Sequence, residues 1–480
     1  MHNKPSPPMR ISYRISHLWL MLVMSALLTV GKGDQEFSPA TVRIHHERST
    51  ESKIFATVEA FQETHNLILQ KVKIPSVRIQ ELILGPNGTI ESVNVSSKAE
   101  KHHFFSDENT GSLFYLTGEG NLEGALTDFV GLRFQNNSYI ASKSGGPSGK
   151  FCATSSAEIP QEDIYSTDSP ISDTRQNPSY VVELTVYADS VLLNRFSSVS
   201  ALDSYLRVYW YLVNRRFKTV QGATINLKLT DIRVSTSVTV DSYFMHAPST
   251  SSSHIRNSLT LFGKYVGSQV SSGKINRFDA AQLMSGRDFY DVENGVVKKN
   301  FAGLAYVGSV CMISSGIASN TGVAEDNGYY YGVLNSAHEM GHTLGAPHDG
   351  DGTSAKCPWS AGYLMSYIAN SYLSLRFSQC SSDAMKAIYF KEFATCLKSN
   401  TNPTYYPFNQ ILPGQSITLD KQCQYYMGQS GAYADKSVPA KTHCYSLRCR
   451  WGSTIKTFQF PALEGTPCYS GGRCLDGYCQ

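Results

Sequence analysis

Residues 338–349 read His338-Glu339-Met340-Gly341-His342-Thr343-Leu344-Gly345-Ala346-Pro347-His348-Asp349. On a helix, positions i and i+4 lie on one face, so His338 and His342 present both imidazoles to a single ion. Glu339 stands beside the first of them and reaches a water on that ion without being a ligand. Gly345 has no Cβ, so the chain can turn sharply there and end the helix. The turn brings His348 back as a third nitrogen ligand. Three protein ligands leave a fourth position open for water, which is how a catalytic zinc is held. A structural zinc closes its shell with a fourth Cys or His; none stands nearby, and Asp349 is a poor substitute. The chemistry this predicts is hydrolysis, with Glu339 as the base that takes a proton from the attacking water and later delivers it to the leaving amine.

The pattern around this stretch is α/β. Val182, Leu184 and Val186 alternate with Glu183 and Thr185, which reads as a strand. From Ser200 the spacing turns helical, with Leu202, Leu206, Tyr209, Leu212 and Val213 on one face. Ile225, Leu227 and Leu229 alternate again, and Leu259, Phe262, Tyr265 and Val266 share a second helical face. Gly303 to Cys311 is an apolar strand, Gly332 to Leu344 a helix, and Ser381 to Leu397 a last helix with Met385, Ile388 and Phe393 inward. Strands alternating with helices place an α/β domain at 177–398. Before it, residues 34–176 mix strand-like runs (Leu67-Ile68-Leu69, Ile79 to Leu84, Phe104 to Leu116) with loops, and end in a polar stretch from Ser142 to Pro178. After it, residues 399–421 carry Pro403, Pro407 and Pro413 and read as a linker. Residues 422–480 form a small disulfide-rich domain, because so short a piece buries little core without cross-links.

Several features point to export. Arg10 and Arg14 precede an apolar run from Leu18 to Val30, followed by Gly31 and Gly33, the order of a signal peptide over residues 1–33. The run is too short for a comfortable membrane span, and no later segment is apolar enough, so a secreted protein with no membrane anchor is expected. Of the 11 Cys, Cys152 stands alone in the first half. Cys311, Cys357, Cys380 and Cys396 fall in the middle. Cys423, Cys444, Cys449, Cys468, Cys474 and Cys479 crowd the tail. Even clusters in an exported chain read as disulfides, with the pairing inside each cluster left open by spacing. Sequons at Asn87, Asn94 and Asn136 mark exposed, glycosylated loops. A net charge of +3 over 480 residues, without blocks of like charge, argues for no nucleic acid partner and no basic membrane-surface segment.

His-Glu-x-x-His-x-x-Gly-x-x-His is the metzincin signature. With Asp349 directly after the third histidine, the chain resembles the reprolysin (adamalysin) branch, which includes snake-venom and ADAM-type metalloproteases. Val182-Glu183-Leu184, Ala188-Asp189, Ala281-Gln282-Leu283, Gly303-Leu304-Ala305-Tyr306-Val307-Gly308 and Phe377-Ser378-Gln379-Cys380-Ser381 extend the resemblance through the middle domain. It implies a mixed twisted sheet with an active-site helix, preceded by a propeptide domain at 34–176. It implies a Met-turn under the zinc, placed at Met365 in Tyr363-Leu364-Met365-Ser366, and disulfides Cys311–Cys396 and Cys357–Cys380. It also implies a Ca2+ site, with Glu183 and Asn400 as candidates, although Asn400 stands one residue farther from Cys396 than in the family. Tyr367 follows Met365 by two, where the astacin branch has a tyrosine that steadies the oxyanion; plain packing is the alternative. Substrate is expected to lie extended along Gly303 to Tyr306 as an added strand.

The family uses a cysteine switch, and Cys152, the odd thiol in Gly149-Lys150-Phe151-Cys152, is the candidate. Its thiolate would fill the open Zn2+ position until the propeptide is removed. Arg175 is a lone basic residue, and no dibasic cleavage site precedes Ser179. The tail, from Gly465-Thr466-Pro467-Cys468 through Cys474 to Gly477-Tyr478-Cys479, resembles the end of the disintegrin-like module of ADAMTS-type proteases, with fewer cysteines. The whole layout resembles secreted metalloproteases of tick saliva and, less closely, of scorpion venom. The expected function is a secreted zinc endopeptidase acting on extracellular matrix or plasma proteins. The alternative is a disintegrin-like binding protein whose tail engages a receptor or matrix protein. No Arg-Gly-Asp tripeptide occurs, Gly286-Arg287-Asp288 not being one, and the intact zinc motif favours the enzyme.

Overall fold

A computed structural model describes residues 35–479 except 73–76, 96–102, 108–111, 127–129, 145–150, 153–176, 368–371, 400–417, 428, 459–461, 463–464, 470 and 476–477. The signal-peptide segment, Arg175 and Asn400 lie outside the described residues.

The centre is a ten-stranded mixed sheet. Its strands are β1 (Arg78–Leu84), β2 (Ile90–Asn94), β3 (Phe151–Cys152), β4 (Ser179–Ala188), β5 (Thr224–Ser235), β6 (Ser252–His254), β7 (Ala280–Ser285), β8 (Asp288–Glu293), β9 (Val296–Ala305) and β10 (Thr321–Glu325). They run in the order β6-β8-β9-β10-β7-β4-β5-β1-β2, with β3 beside β9. In the middle, β4 runs parallel to both β5 and β7. Parallel strands need both faces covered, and alternation along β4 serves two cores at once. Val182, Leu184 and Val186 pack with Leu202, Leu206 and Tyr209 of helix α1 (Val199–Phe217). Tyr187 faces the other way, onto Leu259, Phe262 and Val266 of α2 (Ile255–Ser271). The helix α3 (Val333–Thr343) lies on the α1 side, through Ala337 and Met340.

Most of the N-terminal third closes into an eight-stranded barrel. In its strand Glu63–Val72 buried and exposed residues alternate, so one face fills the barrel and the other meets solvent. Two pieces of this third instead join the central sheet. Strand β1 pairs parallel with β5, from Arg78 opposite Asp231 to Leu82 opposite Ser235. Strand β3 pairs parallel with β9, with Cys152 opposite Gly303. The barrel also grips the loop leading into α3. Arg133 donates to the carbonyl oxygens of Gly328 (3.0 Å) and Arg195 (2.9 Å), Ser142 Oγ to that of Tyr329 (3.1 Å), and Tyr329 Oη to Gln135 (2.7 Å).

Two elements end earlier than their apolar runs. The run from Gly303 to Cys311 is a strand only to Ala305, because the chain then turns through positive φ at Gly308 (70°) and Cys311 (68°). The run from Ser381 to Leu397 splits. Helix α4 (Gln379–Ile388) stops where Tyr389 stacks on Tyr180 at 5.5 Å, and Cys396, disulfide-bonded to Cys311, starts a separate turn. Cys357 is bonded to Cys380. The tail is cross-linked by Cys423–Cys449, Cys444–Cys474 and Cys468–Cys479 around Leu447 and Phe458. Asn87, Asn94 and Asn136 are all exposed. Among the described residues, no helix is long and apolar enough to cross a membrane.

Beside the sheet, Arg287, Asp189 and Asp241 are fully buried together. The guanidinium lies 2.6 Å from Asp189 Oδ2 and 2.7 Å from Asp241 Oδ2. Removing one member of a buried ionic group leaves uncompensated charge behind. Arg287→Ala should therefore lower unfolding free energy by about 3–5 kcal/mol in urea titrations. A loss below about 1 kcal/mol, the range of exposed pairs, would contradict this account of the cluster.

Candidate metal centre

The site is built on α3 and the turn that follows it. The helix starts at Gly332, whose N–H donates to Asp326 Oδ1 at 2.9 Å. Buried Asp326 also accepts from Gly328 N (3.0 Å) and Tyr205 Oη (2.6 Å), so one carboxylate fixes both the entry loop and its attachment to α1. Tyr209 Oη and Ser336 Oγ, 2.8 Å apart, tie the first turn to α1. The helix ends at Leu344, and Gly345 takes a φ of 99° that a side chain would resist. Gly345 N then bonds His342 O (2.8 Å) and Ala346 N bonds Gly341 O (3.0 Å), closing the helix with a left-handed cap.

This geometry converges the side chains of His338, His342 and His348, whose candidate ligand atoms all lie within 4.8 Å of one another. His338 Nδ1 faces Leu364 O at 2.7 Å, and His342 Nδ1 faces Ala346 O at 2.7 Å. A carbonyl oxygen can only accept, so each ring carries its proton on Nδ1 and turns a bare Nε2 lone pair inward. His342 Nε2 stands 3.2 Å from His348 Nε2, and the buried His338 Nε2 has no protein hydrogen-bond partner. Burial is the main cause that pushes the imidazoles down, His338 to about 4 and His348 to about 3, with His342 further depressed by its two neighbours. Three neutral nitrogens facing one point, one of them orphaned, fit a divalent cation of the zinc type.

Glu339 is buried beside the triad and packs against Gly303 of β9. Met365 lies under the helix, with Sδ directly against Gly341. Asp349 joins what its neighbours hold. Its carboxylate accepts from Ser378 Oγ (2.6 Å), Ser381 Oγ (3.3 Å) and Ser366 Oγ (3.4 Å), and its N–H donates to Met365 O (3.0 Å). Burial raises the pKa of Asp349 against these hydroxyl donors. The ring of Tyr367 lies 4.5 Å from that of His348, and its hydroxyl donates to Asp351. The tail also touches this region: Tyr478 Oη lies 2.7 Å from Tyr363 Oη, and Arg376 sits over the Tyr478 ring at 4.3 Å.

Away from the triad, Glu183 is paired with Lys228 Nζ at 3.0 Å, and its N–H donates to Asp279, which burial pushes up to about 6. Asn400, the other candidate calcium ligand, lies outside the described residues. Sequence reasoning missed Asp279, Asp326 and the cross-tie made by Asp349. An Asp in a loop carries no local mark of burial. Gly303 did carry a mark, as an isolated glycine within an apolar strand.

Comparison with known proteins agrees with the geometry. Residues 195–391 match the Metallo-peptidase family M12B Reprolysin-like, and residues 413–480 match the ADAMTS cysteine-rich domain 2. An "A disintegrin and metalloproteinase with thrombospondin motifs like" protein of Bombyx mori is 30% identical over 291 residues, 58% of this chain and 41% of that one. The chain thus spans about two fifths of that relative's length. An antarease-like venom metalloproteinase of Tityus serrulatus is 30% identical over 233 residues, 45% of this chain and 96% of that one. A cysteine-linked metallopeptidase domain with a helix-borne histidine triad, matched across nearly the whole of one such relative, makes this chain a member of the reprolysin-like M12B metallopeptidases.

Proposed function

We propose that the chain is a secreted zinc endopeptidase that cleaves extracellular proteins, with Glu339 as general base. The observation that carries this reading is the orphaned, buried Nε2 of His338 facing two more imidazole nitrogens, with a buried carboxylate alongside. Zinc, when bound, supplies Lewis acidity at the scissile carbonyl and acidifies a coordinated water. Glu339 holds the proton of the attacking water on its carboxylate and passes it to the leaving amine. Leu364 O and Ala346 O keep the ring protons on Nδ1, and Met365 backs the helix from below as a Met-turn. Substrate runs along β9, where a peptide can add as a strand. Matrix or plasma proteins as targets rest on the resemblance of the layout to secreted metalloproteases of tick saliva.

The same reading makes residues 34–176 a propeptide and Cys152 its switch. In support, β3 carries the backbone of Cys152 to Gly303, on the edge of β9 that substrate would use and next to the residue that packs on Glu339. For Tyr367, the bond to Asp351 and the ring contact with His348 favour a role in steadying the third ligand over one at the oxyanion.

Glu339→Ala should abolish hydrolysis of dye-labelled gelatin while metal analysis still finds one zinc per chain; turnover within about tenfold of wild type would remove Glu339 from the base role. Cys152→Ala should make the uncleaved chain active, and a thiol reagent should do the same to wild type. A Cys152→Ala chain as latent as wild type would assign latency to the barrel's other contacts. Tyr367→Phe should weaken zinc binding about tenfold or more, with turnover restored by excess zinc. Turnover that stays low at full zinc occupancy would return Tyr367 to the oxyanion role.

A further inference from the structure

Gly303 has no conformational reason to be glycine. It sits within β9, paired with Ala324 of β10 on one side and Cys152 of β3 on the other, and its φ is not among the positive values of the chain. Ala302, Leu304 and Ala305 around it all carry side chains in the same strand. A glycine inside a strand gives up packing and often marks a place where another group approaches closely. Here the approaching group is Glu339. A methyl at Gly303 would stand 2.5 Å from Glu339 Oε1, 2.7 Å from Cγ and 2.8 Å from Cδ, closer than any van der Waals contact allows.

Every one of those atoms belongs to the Glu339 side chain beyond its Cβ. The strand and the helix therefore need not move to admit the methyl; the carboxylate must. We propose that Gly303 is a positioning residue for the hydrolytic reaction: its missing Cβ is the space that holds the Glu339 carboxylate beside the histidine triad. The effect of filling that space falls on proton transfer rather than on folding or metal binding. This inference rests on Glu339 being the general base.

The test uses the full chain after activation, with a fluorogenic peptide that the wild type cleaves, and compares Gly303→Ala, Glu339→Gln and the double variant. Zinc per chain and melting temperature are measured alongside kcat and KM. Gly303→Ala should keep full zinc and a near-normal melting temperature, leave KM within about twofold, and lower kcat between about tenfold and a hundredfold, the range set by losing part of a general base. In the Glu339→Gln background the same methyl should change nothing further, because two substitutions acting through one group are not additive. An inactive Glu339→Gln with a Gly303→Ala kcat near wild type would overturn the positioning role. A rise in KM alone would make Gly303 a substrate-clearance position instead. Lost zinc or a lowered melting temperature would make it a packing position. An active Glu339→Gln would instead overturn the general-base reading itself.

Discussion

His338 and His342 aim bare Nε2 lone pairs at one buried point shared with the His348 ring, and the unpartnered Nε2 of His338 is unfavourable there unless a cation stands beside it. Leaving a buried polar atom without a partner costs about 1–3 kcal/mol. The protein imposes the arrangement anyway. Leu364 O and Ala346 O accept from Nδ1 of His338 and His342, and the turn at Gly345 returns the chain. Much of the surrounding structure can be read as what holds these few atoms still. Asp349 ties the segment bearing Met365 to the start of α4. Leu364, whose carbonyl orients His338, bonds Arg376 through its own N–H (2.7 Å), and Arg376 lies under Tyr478 of the tail. The C-terminal module thus reaches a candidate metal ligand through two intervening residues, Arg376 and Leu364.

The N-terminal third is also built into the same body rather than merely tethered to it. Its strands β1 and β2 extend the central sheet beyond β5, β3 runs along β9, and the barrel wall clamps the loop that feeds α3. Parting the N-terminal third from the middle domain would break the sheet pairing at β5 and β9 together with the bonds to Gly328 and Tyr329.

The parts readable from sequence were those with a local period or fixed spacing. The triad follows from i, i+4 geometry and one glycine, and the core faces of α1 and α2 follow from Leu202, Leu206, Leu259 and Phe262. What escaped were pairings between distant residues. Nothing in Arg78 to Leu84 says that it joins β5 instead of the barrel, because both sites want the same alternating strand. The broken helix after Ile388 was hidden because Phe393 keeps the helical period while its neighbour Cys396 is held elsewhere by Cys311. Asp326 and Asp279 are buried carboxylates tied to other elements by Tyr205 and Glu183, which lie 121 and 96 residues away, so their neighbourhood in the chain looks like ordinary loop.

The central claim is that α3 and the turn at Gly345 deliver three imidazoles to one metal ion. X-ray absorption at the zinc edge, on the form freed of residues 34–176, tests it directly. The account predicts three imidazole nitrogens and one oxygen donor, all at about 2.0–2.1 Å, with no sulfur shell. A zinc with fewer than three imidazole ligands, or with sulfur at about 2.3 Å in that activated form, would contradict it.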